Sequence, residues 1–119
     1  MTETRLSIRL DLNSGDRIGP GKITLLEAIR ETGSISAGAR KVGMSYRRAW
    51  LLVEEINDAL EEPAVTGVTG GRQGGGAVVT PVGERIIKIY RQIETTALKS
   101  VTGEFRAVEK IVRKNKRKD

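Results

Sequence analysis

Two helix starts stand close together in "GSISAGARKVGMSYRRAW", residues 33 to 50, and they restrict the fold more than any other feature of the chain. Ser34 precedes Ile35 and Ser45 precedes Tyr46, and each serine hydroxyl can accept a hydrogen bond from an unpaired N–H in the first turn that follows. Gly43 interrupts between them after about two turns. A segment that starts, stops and restarts a helix in so few residues forms a short helix, a tight corner and a second helix, the helix-turn-helix arrangement. Ala37 and Ala39 let the short helix pack closely.

Placed on a wheel at about 100° per residue, the helix starting at Ser45 gathers Ala49, Val53, Ile56 and Leu60 into a narrow core stripe. Arg47, Leu51, Glu54 and Asp58 lie opposite, with Arg48 and Trp50 on the two flanks. The basic residues occupy the first turn and the acidic ones the later turns, which opposes the helix dipole at both ends. A helix start that concentrates cations against its own dipole suits a polyanionic partner.

The flanking segments complete a small domain. "RLSIRLDL", residues 5 to 12, alternates polar and apolar and reads as a half-buried strand. "NSGD" supplies a turn. A first helix is expected from about Pro20 to Thr32, with Leu25, Leu26, Ala28 and Ile29 inward and Gly33 as its C-cap. "AVTGVT" and "AVVT" are two β-prone runs around the glycine cluster "GGRQGGG", which reads as a hairpin with a long tip. Thr80 then caps a helix whose first residue is Pro81. Ile86, Tyr90, Ile93, Ala97, Val101, Phe105, Val108 and Val112 follow at steps of three and four, with Gly103 as a kink point. The first half of this stripe could be core within the chain, whereas beyond about Thr96 it has no expected partner there. So long a stripe suggests helix pairing, and Ile86, Tyr90, Ile93, Ala97, Val101, Phe105 and Val108 are assigned to pairing between two copies. Residues 1–113 are expected to form one domain and 114–119 a basic tail.

Charge and composition narrow the function. The net charge is +6 over 119 residues. No acidic residue occurs from Thr32 to Val53 or from Pro63 to Gly83, and these windows hold Arg40, Lys41, Arg47, Arg48 and Arg72. The chain contains no cysteine and no histidine, which excludes thiolate and imidazole chemistry and the usual transition-metal ligands, and argues against an enzyme. No apolar run approaches the roughly 18 residues of a membrane span, so no membrane partner is expected and the cytoplasm is the default location. The glycine clusters are not phosphate loops. "GGRQGGG" has no lysine, and in "GDRIGPGKI" five residues separate Gly15 from Gly21 and isoleucine follows Lys22. No cofactor is expected.

Double-stranded DNA is the partner these features suit. Arg47, on the exposed meridian, can pair bidentately with a guanine edge. Ser45, Tyr46 and Arg48 would reach phosphates, with Ser34, Ser36 and Lys41 of the preceding helix beside them. Leu51 is placed for a thymine methyl, and Trp50 is read as a packing residue. Arg72 and Gln73 would carry the hairpin tip to the flanking backbone or the minor groove.

The runs "GSISAGARKVGMSYRRAW", "EEIN" and "TGGRQGGGAVVTPVGERII" resemble the N-terminal winged helix-turn-helix domain of the bacterial and archaeal molybdate-responsive regulator ModE, which is related to the LysR-type DNA-binding domain. The resemblance covers about residues 19 to 93. It implies a dimeric repressor or activator with Ser45 to about Leu60 as recognition helix and Gly70 to Gly76 as wing. The C-terminal helix and the N-terminal strand would form the dimer interface. The full regulator adds a pair of small β-barrel molybdate-binding domains, and this chain instead ends in "VRKNKRKD". Molybdate sensing is therefore not carried over, and a stand-alone one-domain relative is expected.

The resulting expectation is a mainly α fold with a small β-hairpin wing, a winged helix-turn-helix with a long C-terminal dimerisation helix. Its expected function is sequence-specific regulation of transcription as a homodimer on an inverted repeat, with room for a protein co-regulator. Two alternatives stay open. A nucleoid-type architectural protein would bind random duplexes almost as well as selected ones. A protein-interaction module would bind no duplex and use Leu51 and Trp50 as anchors.

Overall fold

The computed structural model describes residues 4–68 and 76–113. The elements run β1 (Leu10–Asp11), β2 (Arg17–Ile18), α1 (Pro20–Thr32), α2 (Ile35–Lys41), α3 (Tyr46–Ala59), β3 (Val65–Val68), β4 (Gly76–Val79), α4 (Pro81–Ser100) and α5 (Thr102–Ile111). The protein is mainly helical, with β1–β2 and β3–β4 as two small antiparallel hairpins.

The helix boundaries follow local chemistry. Pro20 opens α1 with its fixed φ, and Gly33 closes it at φ 82°, a left-handed conformation that favours glycine, while donating its N–H to Ile29 O at 2.8 Å. Ser34 accepts from Ala37 N at 3.0 Å to start α2, and Ser45 accepts from Arg48 N at 3.1 Å to start α3. Between them Gly43 turns the chain at φ 74°. Gly38 lets α2 lie directly on α1: a Cβ there would stand 2.9 Å from Ile29 Cγ1 and 3.1 Å from Ile29 N.

Ile23, Leu25, Leu26 and Ile29 of α1 form the middle of the core, and Ala49, Val53 and Ile56 of α3 pack against them. Leu52, which the narrow wheel stripe left out, is buried as well, whereas Leu60 lies past the helix end and is half-buried. Val65 and Ala77 close the core from the second hairpin. Its register pairs Val65 with Val79 and Val68 with Gly76. The hairpin tip, including Arg72 and Gln73, lies outside the described residues, as does the 114–119 tail.

The expected strand over residues 5–12 is shorter. Only Leu10 and Asp11 pair, with Ile18 and Arg17. The alternation still sets burial, with Ile8, Leu10 and Leu12 half-buried and Arg9 and Asp11 exposed. Periodicity of two makes a two-faced ribbon, but a ladder also needs a neighbour for its backbone groups. Among the described residues none lies beside residues 5–9 as a strand.

Thr80 accepts from Gly83 N at 3.1 Å and Pro81 is the first residue of α4, as the sequence indicates. The long apolar stripe then divides in two. The break falls at Val101 (φ −117°, ψ 20°), and Gly103 lies inside α5. Ser100 Oγ donates to Ala97 O at 2.8 Å, and Thr102 Oγ1 donates to Leu98 O and Lys99 O at 3.1 Å each. These hydroxyls occupy the carbonyls at the end of α4 and mark the junction there, a stronger local effect than one exposed glycine.

The first half of α4 belongs to this chain's own core. Tyr90 is 0% exposed, and its hydroxyl donates to Ile8 O at 2.5 Å. Its expected place on an intermolecular stripe is therefore corrected: the ring is already spent inside the chain. Ile86 likewise packs on the core. Ile93, Ala97, Val101 and Phe105 are half-buried, Val108 is exposed, and no residue of α5 is buried. The radius of gyration, 17.2 Å, exceeds the roughly 13 to 14 Å of a compact chain this long, and the principal extents of 56 × 35 × 24 Å are those of an elongated molecule.

Arg91 fastens α4 to α1. Its Nε and Nη2 reach the two oxygens of Glu27 at 3.1 and 2.8 Å, and Nη1 reaches Glu94 at 2.7 Å. The hydrogen bonds from Arg91 hold the Glu27 carboxyl below the usual carboxylate range, against the opposing effect of its partial burial.

Candidate nucleic-acid interface

The outer surface of α3 is divided by its neighbours. On one flank, Tyr46, Trp50 and Asn57 face the β3–β4 hairpin across a cleft that Ser34, the cap of α2, and Ser36 within it also line. On the outer face, Ser45, Arg47, Arg48, Leu51 and Glu54 border a shallow depression. Two sequence-distant segments, the α2–α3 corner and the hairpin, thus meet on one side of the molecule.

The hairpin is tied to that corner by backbone and side-chain contacts. Asn57 accepts from Ala64 N at 2.7 Å and from Val65 N at 3.1 Å, and donates from Nδ2 to Val65 O at 3.1 Å. One amide thereby satisfies three backbone groups of the chain entering β3. On the other strand Ala77 N donates to Gly33 O at 2.8 Å. Gly76 makes that approach feasible, since a Cβ there would stand 2.6 Å from Gly33 O.

The charge pattern is asymmetric. The first turn of α3 holds no acidic residue and its last turn no basic one. Arg40, Arg47 and Arg48 make no ion pair among the described residues. Lys41 differs from the expected set of free cations because its Nζ pairs with Glu31 at 2.7 Å, with both side chains 54% exposed. Such an exposed pair is weak and exchangeable.

Of the other expected site residues, Ser34 and Ser45 are occupied as caps, and Ser36 is half-buried beside the cleft. Tyr46, Arg47, Arg48 and Leu51 are all exposed on α3. Trp50, read from the sequence as a packing residue, is 41% exposed and donates from Nε1 to the Tyr46 hydroxyl, with the rings edge-on at 6.4 Å. Asn57 was not anticipated. Its signal was available, since asparagine is a poor residue for a helix interior and this one stands in the last turn of α3.

Among the described residues no group of three or more His, Cys, Asp or Glu could hold a metal ion. No helix described is long and apolar enough to cross a membrane.

No protein-family model matches the chain. It is 50% identical over 86 residues to the molybdenum-pterin-binding protein MopB of Rhodobacter capsulatus, covering 72% of this chain and 32% of that protein. It is 43% identical over 96 residues to the molybdenum transport protein ModE of Azotobacter vinelandii, covering 79% and 36%. To the DNA-binding transcriptional dual regulator ModE of Escherichia coli it is 46% identical over 71 residues, covering 60% and 27%. The chain is related to the ModE and Mop proteins and spans about a third of their length.

Proposed function

We propose that this chain is a winged helix-turn-helix transcriptional regulator of ModE type that binds double-stranded DNA sequence-specifically as a homodimer on an inverted repeat. The carrying observation is the first turn of α3, which exposes Arg47 and Arg48 without an ion pair among the described residues and without an acidic residue in that turn. In this reading α3 is the recognition helix, β3–β4 the wing, and Ser45, Tyr46 and Arg48 the phosphate contacts. Arg47 reads a guanine edge, and Arg72 and Gln73 extend the wing contact.

The relationship to the protein named as the DNA-binding transcriptional dual regulator ModE supports this reading, applied to the matched 27% of its length. The exposed surface of α5 and the half-buried Ile93, Ala97 and Phe105 supply the pairing face. A two-fold dimer places its half-sites about one helical turn apart, roughly 34 Å, or a multiple of it.

Selection of bound duplexes from a random pool at two salt concentrations tests specificity, symmetry and spacing together. Arg47→Ala is expected to relax preference at one base position by about 1 to 3 kcal/mol. Arg72→Ala is expected to weaken all duplexes alike and flatten the salt slope by about one unit. A chain that binds no duplex at low ionic strength, or that loses equally on selected and random DNA after Arg47→Ala, overturns the assignment.

A further inference from the structure

We infer that a second phosphate-binding surface, built by Arg9, Arg17 and Arg48, lies on the side of α3 away from the β3–β4 hairpin and holds the DNA strand that the hairpin does not reach. The inference rests on the DNA-binding reading above and adds residues that the helix-turn-helix pattern does not contain.

Arg48 stands about 160° around α3 from Trp50, at 100° per residue. Trp50 faces the hairpin cleft, whereas Arg48 and Leu52 line a separate hollow with Ser7, Arg9, Arg17 and Lys22. Among the described residues, four cationic side chains and no carboxylate line that hollow. It joins β1–β2 and the start of α1 to the first turn of α3, so it is continuous with the surface that carries Arg47.

The four cations are not equivalent. Lys22 is already committed: its Nζ pairs with Glu55 at 3.1 Å and donates to Arg17 O at 2.6 Å, and its side chain is only 12% exposed. It neutralises Glu55 and braces the backbone that carries Arg17. Arg9 pairs with Asp11 at 2.8 Å, but both side chains are more than half exposed, so a phosphate can replace that carboxylate at little cost. Arg17 and Arg48 are exposed and make no ion pair among the described residues. At Gly21, which also lines the hollow, a Cβ would meet nothing within 4 Å. Guanidinium forks in an open hollow match the paired oxygens of a phosphodiester.

Position selects a polymeric phosphate over a free one. A helix lying in the major groove, about 12 Å wide, has a sugar-phosphate backbone on each side. With the outer face of α3 in the groove, the hairpin faces one backbone and this hollow faces the other.

The double variant Arg9→Gln/Arg17→Gln of the full chain tests the assignment, measured on a selected and a random duplex across a salt series. Both affinities are expected to fall by the same factor, with their ratio unchanged and the salt slope flattened by about 0.9 for each lost contact. Within each half-site, ethylation interference is expected to vanish at phosphates on one strand only, and the two-fold places the affected phosphates of the other half-site on the opposite strand. Thermal unfolding stays unchanged because both side chains are exposed, and Arg9→Lys/Arg17→Lys recovers the slope. An unaltered slope in the glutamine variant, or a lysine variant that stays as flat as the glutamine one, overturns this surface while leaving the DNA-binding reading intact. Failure of the unaltered chain to bind any duplex removes both.

Discussion

The hydroxyl of Tyr90, in the fully buried part of α4, donates to the carbonyl oxygen of Ile8, 82 residues away in the chain. This bond holds the N-terminal segment where, among the described residues, it has no strand partner upstream of Leu10. Tyr90→Phe keeps the ring and removes the donor, so it isolates the bond from the packing. The variant is expected to lose about 1 to 3 kcal/mol of stability through the unpaired carbonyl. Denaturant unfolding measures that loss, and faster amide exchange confined first to residues 4–10 identifies its site.

Two glycine-to-alanine changes within helices are expected to act in opposite directions. At Gly38 a new methyl group meets Ile29 Cγ1 at 2.9 Å and its backbone at 3.1 Å, forcing α2 off α1 at a cost of about 1 to 3 kcal/mol. At Gly103 nothing lies within 4 Å, so alanine stiffens the unfolded chain and gains about 0.5 to 1 kcal/mol. Thermal melting of the two variants beside the parent checks both signs.

The Glu27–Arg91 pair sets an acid dependence. The Glu27 carboxyl is held below its ordinary value of 4.5, first by the hydrogen bonds from Arg91. A depressed folded-state value means that its contribution is fully present above the unfolded value and fades as pH falls through the folded one. Stability is therefore expected to decline below about pH 4.5, and Glu27→Gln should flatten that part of the profile while lowering stability at neutral pH. Urea unfolding across the acid range provides the comparison.

Asn57 links hairpin position to ligand binding. Asn57→Ala leaves Ala64 N, Val65 N and Val65 O without their side-chain partner, at an expected cost of about 1 to 3 kcal/mol. On the DNA-binding reading it also loosens the hairpin relative to α3, so affinity for all duplexes falls while base preference at the Arg47 position is kept. Asn57→Asp retains the acceptor oxygens and loses the donor, and a smaller effect is expected. Affinity measured at a temperature where both variants remain folded separates the two consequences.

Elements bounded by residues with one strong local role were legible in the sequence. The hydroxyls of Ser34, Ser45 and Thr80, the ring of Pro81 and the left-handed Gly33 each act within a turn of themselves, and the helices start or stop there. The features that escaped depend on partners far along the chain. The alternation of residues 5–9 has no strand beside it among the described residues. Tyr90 looks like any stripe residue until Ile8 is placed next to it, and Asn57 acquires its role only once the hairpin arrives. The break falls at Val101 and not at Gly103 because the hydroxyls of Ser100 and Thr102 bond back to the carbonyls at the end of α4, an effect that apolar periodicity does not register. At the candidate site, the cations of α3 could be read from the charge pattern, whereas Arg9 and Arg17 enter only because β1–β2 folds against the start of α1.

The contact between Ala77 N and Gly33 O has a mechanical outcome. The carbonyl that receives the hairpin belongs to the glycine whose backward turn ends α1 and leads directly into the capped start of α2. One hydrogen bond therefore couples the root of the hairpin to the corner, so a change in the turn at Gly33 is expected to be felt in both β4 and the start of α2.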